Sequence, residues 1–151
     1  NVKDQNSMKA AVDLGIAMQL TNIARDVVED SNINRFYIKN DYETICNTLA
    51  LADLFYKSSF TAIKQIPFKF RFAILVARRV YKKIGDKILR TGNIEAYNKA
   101  GKIYVNNIEK IFQTIFSIFD LITLILTKQK SSYMNNEHFL ISEEINLDER
   151  I

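Results

Sequence analysis

Four side chains suited to holding a hard cation recur along one short stretch of this 151-residue chain: Gln19, Asn22, Asp26 and Asp30. At about 100° per residue in an α-helix, these positions fall within about 80° of one another. Leu14, Ile16, Ala17, Met18, Leu20, Ile23, Val27 and Val28 fill most of the rest. A regular polar stripe in a segment apolar enough to be buried is costly unless something satisfies it. Carboxylate and amide oxygens are the ligands Mg²⁺ prefers, so the stripe is a candidate metal site. Asp26 and Asp30 share a face one turn apart and can reach one ion or two neighbouring ones. An aspartate pair alone more often marks a solvated helix face, and the two amides on the same stripe are what set this one apart. Arg25 lies about 100° off the stripe and is expected to make a structural ion pair.

The elements that must position the stripe are helical throughout, with no strand alternation. The first helix is expected from about Ser7 to Asp30, ending in the turn-rich Ser31–Asn34 and an extended link through Arg35–Ile38. Asp41 or Thr44 is placed to cap a helix from Tyr42 to Ile66, and Pro67 breaks the pattern. A third helix carries Phe70, Ile74, Ala77, Tyr81, Ile84 and Ile88 at three- and four-residue spacing, with Gly92–Asn93 as the next turn. One long last helix is expected from Ile94 or Tyr97 to Thr127. Its run from Ile111 to Leu126 is slightly short of a membrane span, and Gln113, Ser117 and Asp120 interrupt it at helical spacing. A buried or interfacial helix is therefore expected there. Residues 1–127 form the helical domain on this reading, and 128–151 a polar tail.

Nearly half the residues are hydrophobic (48%), with one proline and four glycines, which suits a helical bundle and excludes a disordered chain. Cys46 is the single cysteine, so no internal disulfide framework is possible, and His138 is the single histidine, so no histidine metal cluster is possible. The chain begins at Asn1 rather than Met, which reads as a fragment. Between Lys64 and Arg90 lie nine Lys and Arg residues against Asp86 alone, a block pointing to an anionic partner. Aromatics for base stacking do not alternate with it on its polar side, so a peripheral membrane surface is expected and nucleic acid is not.

The run from Leu14 to Asp30, LGIAMQLTNIARDVVED, resembles the second aspartate-rich motif of the squalene/phytoene synthase family, and within it the bacterial phytoene synthases. Arg35-Phe36-Tyr37 is similar to the family's Arg-x-Tyr segment. Looser similarity continues through ALADLFY at 50–56, Ile66-Pro67, Arg71, ARRVYKKI at 77–84, Ile103–Val105 and Lys110, so that residues 10 to 127 are covered. The resemblance implies the C-terminal portion of an all-α, isoprenoid synthase-type helical bundle in a cytoplasmic, peripherally membrane-associated enzyme. The implied reaction is head-to-head condensation of two geranylgeranyl diphosphates with loss of diphosphate, as in carotenoid biosynthesis. Squalene- and hopanoid-pathway synthases are alternatives, as is a non-catalytic assembly factor on the same fold.

By this resemblance Asp26 and Asp30 are catalytic and hold Mg²⁺, or Mn²⁺ in its place, together with Asn22. Gln19, Asn22, Arg35, Tyr81 and Lys110 would bind substrate diphosphate. The family's first aspartate-rich motif is nowhere in the sequence, so the missing N-terminal half of the same polypeptide is an expected partner and the chain alone is expected to be inactive. Asn34 and Lys39 stand where the family often has Gly and Pro, and Ala62 where it often has Gly.

Overall fold

The computed structural model describes residues 5–127, and the polar tail expected over 128–151 lies outside them. Its elements are α1 (Gln5–Asn32), α2 (Tyr42–Phe60) continued by a 3₁₀ turn (Thr61–Gln65), α3 (Phe68–Leu89), α4 (Ile94–Ala100) and α5 (Asn107–Leu126). No strand occurs among the described residues, as the periodicity predicts.

Local chemistry sets most of the boundaries. Asp41 caps α2, accepting from the Thr44 amide at 2.8 Å and the Thr44 hydroxyl at 3.0 Å. The Thr44 amide bond, more than the hydroxyl, holds the Asp41 carboxyl below its usual range. Pro67 stands immediately before α3, where its missing N–H costs nothing. At the end of α1 the amide of Asn34 donates to the Ser31 carbonyl at 3.1 Å and that of Arg35 to the Asp30 carbonyl at 2.8 Å. This nested pair is a Schellman stop, and Asn34 sits at its left-handed position with φ of 56°. Asparagine tolerates that conformation, which explains how it substitutes for the glycine the resemblance leads one to expect.

The last helix departs from expectation, because it is two helices. Gly101, at φ 64°, ends α4 in a conformation that other residues rarely adopt. The chain then runs without helix through Lys102–Val105, burying Ile103 and Val105 in the core. Asn106 and Glu109 restart it with a reciprocal capping box, at 2.8 and 2.9 Å.

The core has three parts. Ala24, Val27, Ile45, Leu49, Ile84, Ile88 and Tyr97 meet where α1, α2, α3 and α4 converge. Ala17, Ala52, Phe55 and Tyr56 join α1 to α2, and Ile63, Leu75 and Leu124 join the 3₁₀ turn, α3 and α5. Ala17 and Ala24 have no exposed surface, so small side chains set the close approach of α1 to its neighbours.

In α5 the polar stripe faces inward. Ser117 is fully buried and donates to the Gln113 carbonyl, while Asp120 accepts from the Arg79 guanidinium of α3 at 2.7 Å. The apolar side, including Ile111, Phe112, Ile115, Phe119 and Ile122, is exposed. No described helix is long and apolar enough to cross a membrane. A contiguous apolar helix face of this size marks an interaction surface. Expressed alone, the chain is therefore expected to self-associate in sedimentation velocity; a monodisperse monomer that melts cooperatively would contradict this.

Candidate functional site

The side of α1 that packs on the core carries Ala17, Thr21, Ala24 and Val27. Gln19, Asn22, Asp26 and Asp30 cluster on the opposite side, about 150° away around the helix. The stripe is thus not sealed in the core: Gln19 is exposed, and Asn22, Asp26 and Asp30 are half-buried. The Oδ1 of Asn22 is nonetheless shielded from solvent and has no hydrogen-bond partner among the described residues. A buried amide oxygen without a donor costs about 1–3 kcal/mol, and a cation would offset that cost.

Asp26 is held from two directions. Arg25 grips it with two parallel bonds, Nε to Oδ1 at 2.8 Å and Nη2 to Oδ2 at 2.7 Å. Lys102, from the loop after α4, approaches Oδ1 at 3.5 Å and also pairs with Glu29. Burial works against the Asp26 charge, but the Arg25 bonds and charge together with Lys102 outweigh it and hold the carboxyl below the usual 3.8. The ion pair expected of Arg25 is therefore present, and its partner is the stripe itself.

Lys102 reaches the site because α4 is fastened to α1. The buried Tyr97 hydroxyl donates to the carbonyls of Ala24 and Arg25, both at 2.9 Å. Burial pushes this phenol up to about 12, so it remains a neutral donor across the physiological range. Glycine at 101 then turns the chain so that Lys102 follows directly.

The remaining sequence candidates are placed less tightly. Arg35 is in an exposed loop and is tied to Asp30 only by its backbone amide. Tyr81 is half-buried against the cluster of Ala17, Ala52, Phe55 and Tyr56. Lys110 is exposed on the first turn of α5 and makes no ion pair among the described residues; Lys102, which sequence spacing did not single out, stands beside Asp26 instead. A cavity of about 480 Å³ opens between α2 and α3, lined by Thr21, Cys46, Asp53, Tyr56, Lys82 and Asp86, but no stripe residue lines it.

The donor set suits Mg²⁺ in kind, since it offers two carboxylates and an unpartnered amide oxygen. It is short in number: no group of three or more His, Cys, Asp or Glu residues able to hold a metal occurs among the described residues. Further oxygens must come from outside them or from a bound anion.

Helices α1–α5 carrying this stripe form an all-α isoprenoid synthase-type fold. The model of the squalene/phytoene synthase family matches residues 1–42, the stretch that contains the stripe. A 15-cis-phytoene synthase of a Paracoccus species is 36% identical over 68% of this chain and 41% of its own length. The 15-cis-phytoene synthase of Pantoea ananas is 34% identical over 60% of this chain and 36% of its own. That of Enterobacter agglomerans is 33% identical over 61% and 38%. The chain is similar to members of the squalene/phytoene synthase family, and spans about two-fifths of the length of these relatives. No solved structure matches it.

The depressed carboxyl at Asp26 has a consequence for pH. A carboxyl held below its unfolded value adds stability that is present above that value and lost as pH falls through the folded one. As pH falls below about 4, the wild-type chain should therefore lose stability more steeply than an Asp26→Asn variant in urea melts. Parallel profiles would show that the Arg25–Asp26–Lys102 cluster does not stabilise the fold.

Proposed function

We propose that this chain carries one jaw of a Mg²⁺-dependent prenyl diphosphate condensation site of the phytoene synthase type. The observation that carries the reading is the shielded, unpartnered Asn22 Oδ1 one turn before an Asp26 carboxylate kept ionised by Arg25 and Lys102. The family match covers both residues, and relatives named 15-cis-phytoene synthase support the choice of reaction. The substrates on this reading are two geranylgeranyl diphosphates, joined head to head with loss of diphosphate.

Asn22, Asp26 and Asp30 would hold the metal, with Mn²⁺ able to replace Mg²⁺. When bound, the ion supplies Lewis-acid stabilisation of the leaving diphosphate. Lys102, beside Asp26 and paired with Glu29, would bind the diphosphate next to the metal ligands, and exposed Gln19 can donate from the same face. Diphosphate departure leaves an allylic cation, so apolar walls that exclude water are needed around it. The first aspartate-rich motif must come from outside these 151 residues, from the part of the relatives this chain does not span. The chain alone is then inactive.

Both aspartates and their amide neighbours are present, which favours a working site over a non-catalytic assembly factor on the same fold. Squalene- and hopanoid-pathway synthases share the same metal chemistry and differ in the depth of a cavity built largely elsewhere. The outward apolar side of α5 supports a peripheral contact with a membrane, on the cytoplasmic side on this reading.

The test uses the chain joined to a segment that supplies the first motif. There, Asp26→Asn is expected to lower Mg²⁺-dependent diphosphate release from geranylgeranyl diphosphate by on the order of 100-fold or more. Wild-type turnover in that variant would remove the metal assignment.

A further inference from the structure

The basic block of α3 is only partly explained by the fold. Several of its cations are engaged: Arg79 by Asp120, Lys82 by Asp53, and Lys87 by Glu109. Arg78 is half-buried, donates to the Tyr56 carbonyl at 2.9 Å and lies over the Phe60 ring at 4.9 Å. Those partners are neutral and do not cancel its charge; burial lowers its pKa even though Asp120 and Asp53 act to raise it. Lys83 is half-buried and has no ion pair among the described residues.

These side chains converge. A groove of about 310 Å³ between α3 and α5 is lined by Arg78, Arg79, Lys82, Lys83, Asp86, Gln113 and Phe116. Asp86 is the one carboxylate in the lining, while Asp120 engages Arg79, and Asp53 engages Lys82 and Lys57. Arg78 and Lys83 thus face the groove with no carboxylate within ion-pair distance among the described residues; Asp120 and Asp53 act on Arg78, and Glu109 on Lys83, only from further away. The Gln113 amide is available beside them, and Phe116 stacks on Arg79 at 5.5 Å. Phe116 is also the edge of the exposed apolar side of α5. Fixed guanidinium and ammonium donors around a volume of this size suit a phosphoryl group, which accepts several charge-assisted hydrogen bonds at once.

We infer that the groove between α3 and α5 is a binding site for a phosphate-bearing anion, either free in solution or as the headgroup of an anionic lipid whose chains follow the apolar side of α5. The site is separate from the α1 stripe and does not depend on the reaction assigned there. Its removable contact is Lys83, because no hydrogen bond of the fold uses its ammonium among the described residues. Lys99, exposed on α4, is the matched control.

Two probes applied to the full chain separate the sources. In thermal melts, inorganic phosphate is compared with chloride at equal ionic strength. In flotation, vesicles of phosphatidylcholine are compared with vesicles that also contain phosphatidylglycerol. A phosphate-specific rise in melting temperature that Lys83→Gln at least halves and Lys99→Gln leaves intact would establish a free-anion site. Selective flotation with phosphatidylglycerol that Lys83→Gln weakens about fivefold and Lys99→Gln does not would establish a headgroup site. Equal responses of the two variants in both assays, or no preference for phosphate or phosphatidylglycerol, would overturn the proposal.

Discussion

Three carboxylates, Asp26, Glu29 and Asp30, crowd the carboxyl-terminal end of α1, where the helix dipole is already negative and the last turn holds no basic residue. Left alone, this arrangement repels itself. The fold answers it from two sides. Arg25 folds back onto Asp26 from within the helix, and α4 swings Lys102 in from a distant part of the chain. Neither pairs with Asp30. A helix end with this much negative charge, partly neutralised and still carrying a carboxylate and an amide oxygen to spare, is suited to receive a cation.

Much of the rest of the structure serves to hold that end in place. The alanines of α1 let α2 approach closely, and the Schellman stop at Asn34 fixes where the helix ends relative to Asp30. Tyr97 then binds the backbone of α1 at Ala24 and Arg25, immediately before Asp26, using a phenol that burial keeps protonated. Asp26 is therefore both a structural partner and a candidate ligand. Were it to hold a metal, Lys102 would keep its pair with Glu29 and still stand beside the ligands, where an incoming anion would meet it.

What could be read from sequence divides along the range of the forces involved. The helices, the cap at Asp41, the turn at Gly92–Asn93 and the stops at Asn34 and Pro67 follow from residues within one turn, and they were legible. The break between α4 and α5 also has local signals, Gly101 and the Asn106–Glu109 box, but the apolar spacing continues across them and masks the break. The orientation of α5 was not legible. Its polar stripe is plain at positions 113, 117 and 120, yet the stripe becomes the inner face through distant partners, Arg79 on α3 for Asp120 and the Ile63–Leu75 cluster for Leu124. Lys102 shows the same limit at the site: its neighbourhood with Asp26 is created by the docking of Tyr97, and no spacing rule reports it. Arg25 shows a different one, since adjacent positions diverge around a helix but a long guanidinium can still curl onto its neighbour.

The central claim is that the α1 stripe is a cation site, and a paramagnetic ion reports on it residue by residue. With Mn²⁺ and diphosphate added to the isotopically labelled chain, the Asn22 side-chain amide and the backbone amides of Asp26 and Asp30 should broaden first in NMR spectra. The amides of Asp41, Asp53 and Asp86, on carboxylates outside the stripe, should broaden later. Broadening that is uniform over these carboxylates, or strongest away from α1, would contradict the claim.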